Sequence, residues 1–515
     1  MKQIIVIYGL VAFLTAFLLI TGIRGIDYGR HFDEHALIKN VSITMETGLL
    51  LPRWYRYPSV AYMITLQGII PDVLYYLSNS SMDIKKMNLK SLVQVVNSHR
   101  FKLRLRIIFL CVTLASIIWI FLFTYKWSEN LIESMLSSLI LGASWELMYH
   151  ARWVTPDCIL MQFSILAMYF MYLGIHSKKY HKTFLILASI TVGFCCGTKY
   201  PGGVLIVPLF LSNYFARQKH TKTKNKESKS DYLSIGAIFC ISFIISTPGF
   251  LLEPLRFFQD LNYVMLKYRS GHGGYTVNSK IEHASLMIKY LAFVSFSKYW
   301  YISLAFFVFT CMGGYYILRY EKQFAIWFLS APLIYILYFS TQKVMVVRNL
   351  LILFPFISIL SAKGISFFFQ SLPKNLYKII FSGFVALMLV VNLVWLVVSA
   401  EKIHNRKFIN HQKNIISYLG NHPDQNFLLS KNVKTLLDNQ SGYFSNVVND
   451  AKKADYIIFS SSDIVKWVKY IANRRGLYKV VSGIYEVNLD YYPSWRGDLR
   501  ILATDVKTGK QLGVL

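Results

Sequence analysis

Acidic residues are scarce in this 515-residue chain, which has 26 Asp and Glu against 55 Lys and Arg, for a formal net charge of +29. A soluble protein of that charge would be expected to bind nucleic acid. However, 54% of the residues are hydrophobic and the mean hydropathy is +0.40, which soluble domains do not reach. We therefore expect an integral membrane protein with no nucleic-acid partner. Its excess of Lys and Arg is then explained by anionic membrane lipids and by the positive-inside rule.

Cysteine is also scarce, and its placement argues against a disulfide framework. The six cysteines are Cys111, Cys158, Cys195, Cys196, Cys240 and Cys311. All lie in or beside apolar segments, and none falls in a long polar region. A small-residue cleavage site is also lacking after the first apolar segment, so we expect that segment to be retained as a membrane span.

Apolar segments long enough to cross a membrane predict about eleven transmembrane helices. They cover residues 4–23, 105–123, 131–149, 158–175, 184–197, 203–215, 232–247, 301–318, 324–340, 350–364 and 379–400. Residues 1–400 are thus predicted to form an all-α polytopic membrane domain. The basic loops 177–182, 217–231 and 319–322 share one side, which the positive-inside rule makes cytoplasmic. The long loops 24–104 and 248–300 then lie outside, with the tail.

The tail, residues 401–515, has a different pattern. Short apolar runs at 426–430, 455–460, 478–482 and 499–503 alternate with turn-rich stretches, and a helical pattern covers 463–472. This alternation predicts a small soluble α/β domain. The tail has no nucleotide-binding loop, metal-ligand spacing or catalytic triad, so we expect an extracytoplasmic accessory role.

The acidic pair Asp33–Glu34 lies about ten residues beyond the first span. Charges near hydrocarbon are costly and are functional candidates by default. The alternative is a solvated pair that caps a helix continuing through Leu37 and Ile38. Arginines among aromatic residues follow at 53–57, and such a basic shelf opposite two carboxylates suggests chemistry on a lipid-linked anion.

Five motifs in order carry a family resemblance over roughly residues 1–400. They are Asp33–Glu34; Gly48, Pro52 and Tyr57–Pro58; Arg152 with Pro156–Asp157; the run 197–202; and Arg348 followed by Pro355. In these the chain resembles the GT-C membrane glycosyltransferases that use polyprenyl-phosphate sugars. That group includes dolichyl-phosphate-mannose protein mannosyltransferases and the aminoarabinose transferases that modify lipid A.

The resemblance implies a GT-C fold and sugar transfer from a polyprenyl-monophosphate donor to a glycan, lipid or protein acceptor. Asp33 resembles the catalytic acid, which deprotonates or orients the acceptor so that the anomeric centre inverts. Glu34 resembles the second acid, which either steers the acceptor or holds a divalent metal ion. The active site is expected at the outer face of the inner or plasma membrane.

Basic residues at the outer ends of spans are candidates for binding the donor phosphate. They are Arg152, Lys199, Arg269, His272 and Arg348. Two of these have alternatives: Arg152 could form an interfacial ion pair with Asp157, and Lys199 could extend its ammonium to the membrane interface, that is, snorkel. The glycine-rich segment 268–275, which contains Arg269 and His272, is either a loop that closes over a headgroup or a flexible turn. Arg56 and Tyr57 precede Pro58, where aminoarabinose transferases carry an acid–lysine pair. This departure argues against a metal site of that kind and makes Arg56 a further phosphate candidate.

Two other function classes stay open on the sequence alone. A flippase or transporter of lipid-linked sugars needs outer basic residues but no catalytic acid, and an oligosaccharide polymerase would share the lipid-phosphate site. Asp33 distinguishes the transporter, which should tolerate asparagine at that position.

Overall fold

The computed structural model of the chain describes residues 2–27, 31–79, 89–220, 229–271, 276–406, 411–429, 433–434, 437, 444–449, 453–460, 501–505 and 511–514. The chain divides into two compact units. The first comprises Met1–Ile26 and Asp33–Ala400, and the second comprises Asp27–Phe32 and Glu401–Leu515.

The described residues up to 406 are almost entirely helical. The helices are α1 (Lys2–Ile23), α2 (Phe32–Thr47), α3 (Val60–Gln67), α4 (Ile70–Asn79), α5 (Leu89–Val96), α6 (His99–Ser128), α7 (Leu131–Gly142), α8 (Trp145–Ala151), α9 (Pro156–His176), α10 (His181–Thr198), α11 (Ile206–His220), α12 (Lys229–Ser246), α13 (Gly249–Leu252), α14 (Pro254–Ser270), α15 (Lys280–Phe293), α16 (Trp300–Tyr320), α17 (Lys322–Ser340), α18 (Phe354–Ser371) and α19 (Asn375–Arg406). Two 3-10 segments, Tyr200–Leu205 and Val347–Leu353, lead into α11 and α18. Every predicted span except 131–149 coincides with a helix or with one of these composite segments.

Within the described residues, seven helices are long and apolar enough to cross a membrane, and the pair α7 and α8 makes a possible eighth span. The apolar parts of α1 and α12 are shorter. The polytopic helical fold predicted from the sequence is therefore confirmed. One span differs, because residues 131–149 bend by 60° between α7 and α8. Ser144 starts the second helix, since its side chain accepts a hydrogen bond from the Leu147 N–H.

The helix α9 lies at the centre of the first unit and packs against α6, α10 and α11. Nearly three quarters of its most apolar stretch is buried inside the protein. Glycines also permit the close contact of α16 with α18. A Cβ at Gly313 would overlap the main-chain oxygen of Leu360, and a Cβ at Gly364 would overlap that of Phe309. This packing fixes α18, which directly follows the 3-10 segment that contains Arg348.

The second unit contains helix α20 (His411–Gly420) and strands β1 (Phe427–Leu429), β2 (Tyr456–Ser460), β3 (Ile501–Asp505) and β4 (Gln511–Val514). The strand order is β1-β2-β3-β4, with β1 and β2 parallel and the other pairs antiparallel. Phe427 aligns with Tyr456, and Tyr456 aligns with Asp505. Three predicted strands coincide with β1, β2 and β3, but so small a sheet does not confirm an α/β domain. The expected strand at 478–482 and helix at 463–472 lie outside the described residues.

Candidate active site

Four charged side chains from separate parts of the first unit meet in one cluster. The Arg348 Nη1 atom lies 2.7 Å from Asp33 Oδ2, and its Nε lies 3.3 Å from Asp157 Oδ2. The Lys199 Nζ atom donates to the other carboxylate oxygen of Asp157 at 2.6 Å. Two cations thus face two carboxylates, and the four formal charges cancel. We call Asp33, Asp157, Lys199 and Arg348 the charged cluster.

Both carboxylates of the charged cluster lie in the first turn of a helix. Asp33 is in the first turn of α2 and Asp157 in that of α9. Unpaired backbone N–H groups make this end of a helix favourable for negative charge. Pro156 precedes Asp157 at a helix start, where its fixed φ angle fits and its missing N–H costs nothing.

The two cations come from irregular backbone between apolar segments. Lys199 is extended, with φ −156° and ψ 130°, and it separates α10 from the 3-10 turn Tyr200–Leu205. Gly202 is required in that turn because a Cβ would collide with the main-chain carbonyl of Cys195. Arg348 lies in the second 3-10 turn. Lys199 is only 5% exposed, so the predicted alternative that it snorkels to the interface is wrong.

The guanidinium of Arg348 has a third polar neighbour. Besides the two carboxylates, its Nη2 lies 3.5 Å from the hydroxyl of Tyr57. Burial, and then the negative charge of Asp33, raise the pKa of Tyr57 well above its usual value. The Tyr57 hydroxyl therefore stays protonated beside the charged cluster. A ligand anion that approaches Arg348 must compete with groups that are already in place.

Two neighbours of the charged cluster were missed in the sequence. Asn349 accepts a hydrogen bond from Lys199 Nζ at 2.5 Å and donates to the Tyr268 hydroxyl at 3.3 Å. The Tyr335 hydroxyl donates to the main-chain oxygen of Asn349 at 2.6 Å. The available signal was that Asn349 follows Arg348 directly and precedes an apolar span, where a buried amide needs partners.

Glu34 does not join the charged cluster. Arg106, which is fully buried, donates to both oxygens of Glu34 from Nε and Nη2 at 2.9–3.3 Å, and Lys102 lies 3.7 Å away. The Arg106 guanidinium also stacks 4.5 Å from the Trp153 ring and donates to the Ile26 carbonyl. The sequence signal was an arginine at the second position of a predicted span, which requires a counter-charge.

This environment does not fit the divalent metal ion considered for Glu34. Its oxygens already receive hydrogen bonds from a guanidinium, and a metal cation at the same oxygens would be repelled by that positive charge. Within the part of the chain that the structure describes, no group of three or more His, Cys, Asp or Glu side chains could hold a metal ion.

Arg152 is buried, but it does not pair with Asp157, so the ion pair considered between the third and fourth spans is wrong. Its Nη2 donates to the Thr21 carbonyl at 3.1 Å. Its Nε and Nη1 atoms are buried without a hydrogen-bond partner among the described residues. Burial lowers the pKa of this guanidinium to about 10. A buried cation without a carboxylate is unusual and is consistent with an anion that binds there.

The remaining phosphate candidates lie outside the charged cluster. Arg56 forms an ion pair with Asp260 at 3.7 Å and stacks 3.8 Å from the ring of Tyr263. Arg269 is exposed near the end of α14. His272 lies outside the described residues, with the rest of the second half of the glycine-rich segment, residues 272–275. The structure thus brings Asp33, Asp157, Lys199 and Arg348 together, with Tyr57 beside them.

Comparison with known proteins supports this architecture. The family model described as dolichyl-phosphate-mannose-protein mannosyltransferase matches residues 91–246, less than half of the chain. The crystal structure of ArnT from Cupriavidus metallidurans in the apo state matches with a TM-score of 0.51 and 11% identity, covering 96% of this chain and 98% of that one. The same protein bound to undecaprenyl phosphate matches with a TM-score of 0.50 and 12% identity over the same shares of both chains. No curated protein matches the sequence at a significant level.

These matches confirm the predicted family resemblance and the GT-C type of fold. At sequence identities of 11% and 12%, these structural matches establish only the fold. Function therefore has to be argued from the charged cluster.

Proposed function

We propose that this protein is a glycosyltransferase that moves a sugar from a polyprenyl-monophosphate donor to an acceptor at the outer face of the cytoplasmic membrane. The observation that carries the proposal is the direct contact of Asp33 with Arg348. Transfer from a lipid phosphate needs a base for the incoming nucleophile and positive charge for the departing phosphate. Here both kinds of group adjoin at one place near the ends of several spans.

The residues divide between these two tasks. Asp33 takes the proton of the acceptor, or orients that acceptor, as it attacks the anomeric carbon opposite the phosphate, so the anomeric centre inverts. Arg348 and Lys199 neutralise the departing phosphate. Asp157 holds these two cations near each other. Arg152, whose guanidinium has spare donors, is a further group for the donor phosphate or for another part of the donor.

A transport protein for lipid-linked sugars would also need cations for the phosphate. It has no need of a carboxylate directly on the phosphate-binding arginine. The match to an undecaprenyl-phosphate-bound protein supports a polyprenyl-phosphate ligand for this chain. The sugar and the acceptor are not specified by any residue of the charged cluster.

The deciding experiment uses purified full-length protein in liposomes with radiolabelled polyprenyl-phosphate sugars and an envelope extract as acceptor. We expect label to pass from the donor to the acceptor with wild-type protein, and not with Asp33→Asn. Movement of intact donor between leaflets by both proteins, with no transfer by either, would favour a transporter.

The outer orientation is tested separately by cysteine labelling after replacement of the six native cysteines. Ser279→Cys lies in the loop predicted to be outside, and Gln218→Cys adjoins the basic loop predicted to be inside. An impermeant maleimide should label the first in intact cells and the second only after permeabilisation. The reverse pattern would contradict the orientation without affecting the assignment of the reaction.

A further inference from the structure

We propose that Asn349 is a positioning residue: its carboxamide orients Lys199 toward the donor phosphate and links that ammonium to Tyr268 at the end of α14. This inference rests on the proposed function, because it assumes that the charged cluster receives a phosphate.

Asn349 has three hydrogen bonds, each to a different element. Its Oδ1 accepts from Lys199 and its Nδ2 donates to Tyr268 in α14, while its main-chain oxygen accepts from Tyr335 in α17. The residue is only 4% exposed. The contact from Tyr335 fixes the backbone beside Arg348, so the direction of the carboxamide is set by its surroundings.

The need for orientation follows from the chemistry of lysine. An ammonium is a point charge on a flexible four-carbon stem, so its direction depends on its hydrogen-bond partners. Lys199 has three N–H groups; Asp157 accepts one and Asn349 accepts a second. With two of the N–H directions fixed, the direction of the third N–H is fixed as well. Among the described residues, no further group accepts a hydrogen bond from this third N–H. That N–H is thus held ready for a ligand oxygen, which reduces the entropy lost on binding.

The carboxamide joins these partners because it carries an acceptor and a donor on one short side chain. Aspartate would still accept from Lys199 and could accept from the Tyr268 hydroxyl, but it would add a negative charge beside the ammonium. Leucine would lose both hydrogen bonds.

The main chain of Tyr268 also accepts from the Lys343 N–H, and the Lys343 carbonyl accepts from the Val277 N–H. Tyr268 and Val277 are therefore both hydrogen-bonded to Lys343, shortly before Arg348, and Asn349 connects Tyr268 to Lys199.

The test measures binding of undecaprenyl phosphate to detergent-solubilised full-length protein. We expect Asn349→Leu to weaken binding about tenfold, the effect of one hydrogen bond to a charged group. The matched control is Asn392→Leu. Asn392 is a buried amide of the same kind, but it bonds to Phe296 and Ser297, so its variant should bind as the wild type does.

A double-mutant cycle tests the link to α14. Tyr268→Phe should weaken binding several-fold in the wild-type background and have little further effect in Asn349→Leu, because the connection is already broken. If Asn349→Leu fails to fold, Asn349→Asp replaces it. Its introduced carboxylate should make binding weaken as pH rises, whereas wild-type-like affinity independent of pH would contradict the inference.

Several outcomes would overturn the inference alone. They are unchanged affinity in folded Asn349→Leu, an equal loss in Asn392→Leu, and additive effects of the two substitutions in the cycle. No binding of undecaprenyl phosphate to the wild-type protein would instead overturn the proposed function, and the inference with it.

Discussion

The charged cluster predicts that removal of the proposed base, Asp33, improves binding of the donor lipid. Arg348 is 14% exposed on its side chain and contacts Asp33 at 2.7 Å, Asp157 at 3.3 Å and Tyr57 at 3.5 Å. A phosphate that binds through the bidentate fork of this arginine must displace at least one of these groups. Asp33 has the shortest of the three contacts and is also the group that must turn to the acceptor.

Asp33→Asn keeps the size of the side chain and removes its charge. A hydrogen bond to a charged partner contributes about 1.5–3 kcal/mol, so loss of this competitor should tighten binding of a lipid phosphate by about tenfold or more. Sugar transfer should fall by about two to four orders of magnitude, because the base is lost. Affinity and turnover thus change in opposite directions.

The assay compares undecaprenyl-phosphate binding with sugar transfer for the same purified preparations. Asp157→Asn is the matched control, since it removes a carboxylate that also holds Lys199 and should not give the same gain. Weaker binding in Asp33→Asn, or unchanged binding together with normal transfer, would refute the competition and the role of Asp33 as base.

Three further predictions concern burial and packing. Glu34→Gln should destabilise the protein by about 3–5 kcal/mol, because it leaves Arg106 buried without its main counter-charge. A thermal shift no larger than that of Glu282→Gln, a change at a half-buried glutamate, would contradict this. Arg152→Met should weaken lipid-phosphate binding, because we expect the Arg152 guanidinium to bind the anion. Unchanged binding together with a raised melting temperature would show that the Arg152 guanidinium is only a desolvated charge. Gly313→Val should prevent stable folding by forcing α16 away from Leu360, which size-exclusion profiles would reveal against Gly314→Val, where a Cβ meets open space.

The spans were predictable from sequence because the bilayer requires long apolar helices, whatever their tertiary neighbours are. The bend in the third span was not, since hydropathy is continuous through Ser144. That residue caps α8 and also donates to the Ser295 carbonyl at 2.6 Å. The second bond comes from a loop 151 residues away, and no local pattern contains it. The α/β interpretation of the tail rested on strand patterns alone, and only some of these correspond to described strands.

The site was predictable as a set of candidates, but not as a geometry. Order along the chain and the family resemblance identified Asp33, Asp157, Lys199 and Arg348. The same argument also offered Arg56, which is stacked on Tyr263 instead. Long basic side chains reach several partners from one backbone position. The partner that each one meets depends on helix packing, which sequence spacing does not encode.

The two adjacent acids show how the fold separates residues that the sequence presents as a pair. Successive residues in an α-helix point about 100° apart, so Asp33 and Glu34 in the first turn of α2 cannot face the same partner. Asp33 meets Arg348, whereas Glu34 turns to Arg106 in α6. The alternative that the pair is solvated is wrong, because Asp33 and Glu34 are only 3% and 2% exposed. A chemical role is proposed for Asp33, whereas Glu34 forms a structural charge pair. The buried pair of Glu34 and Arg106 holds α2 against α6, and this rigid support keeps Asp33 directed at the charged cluster.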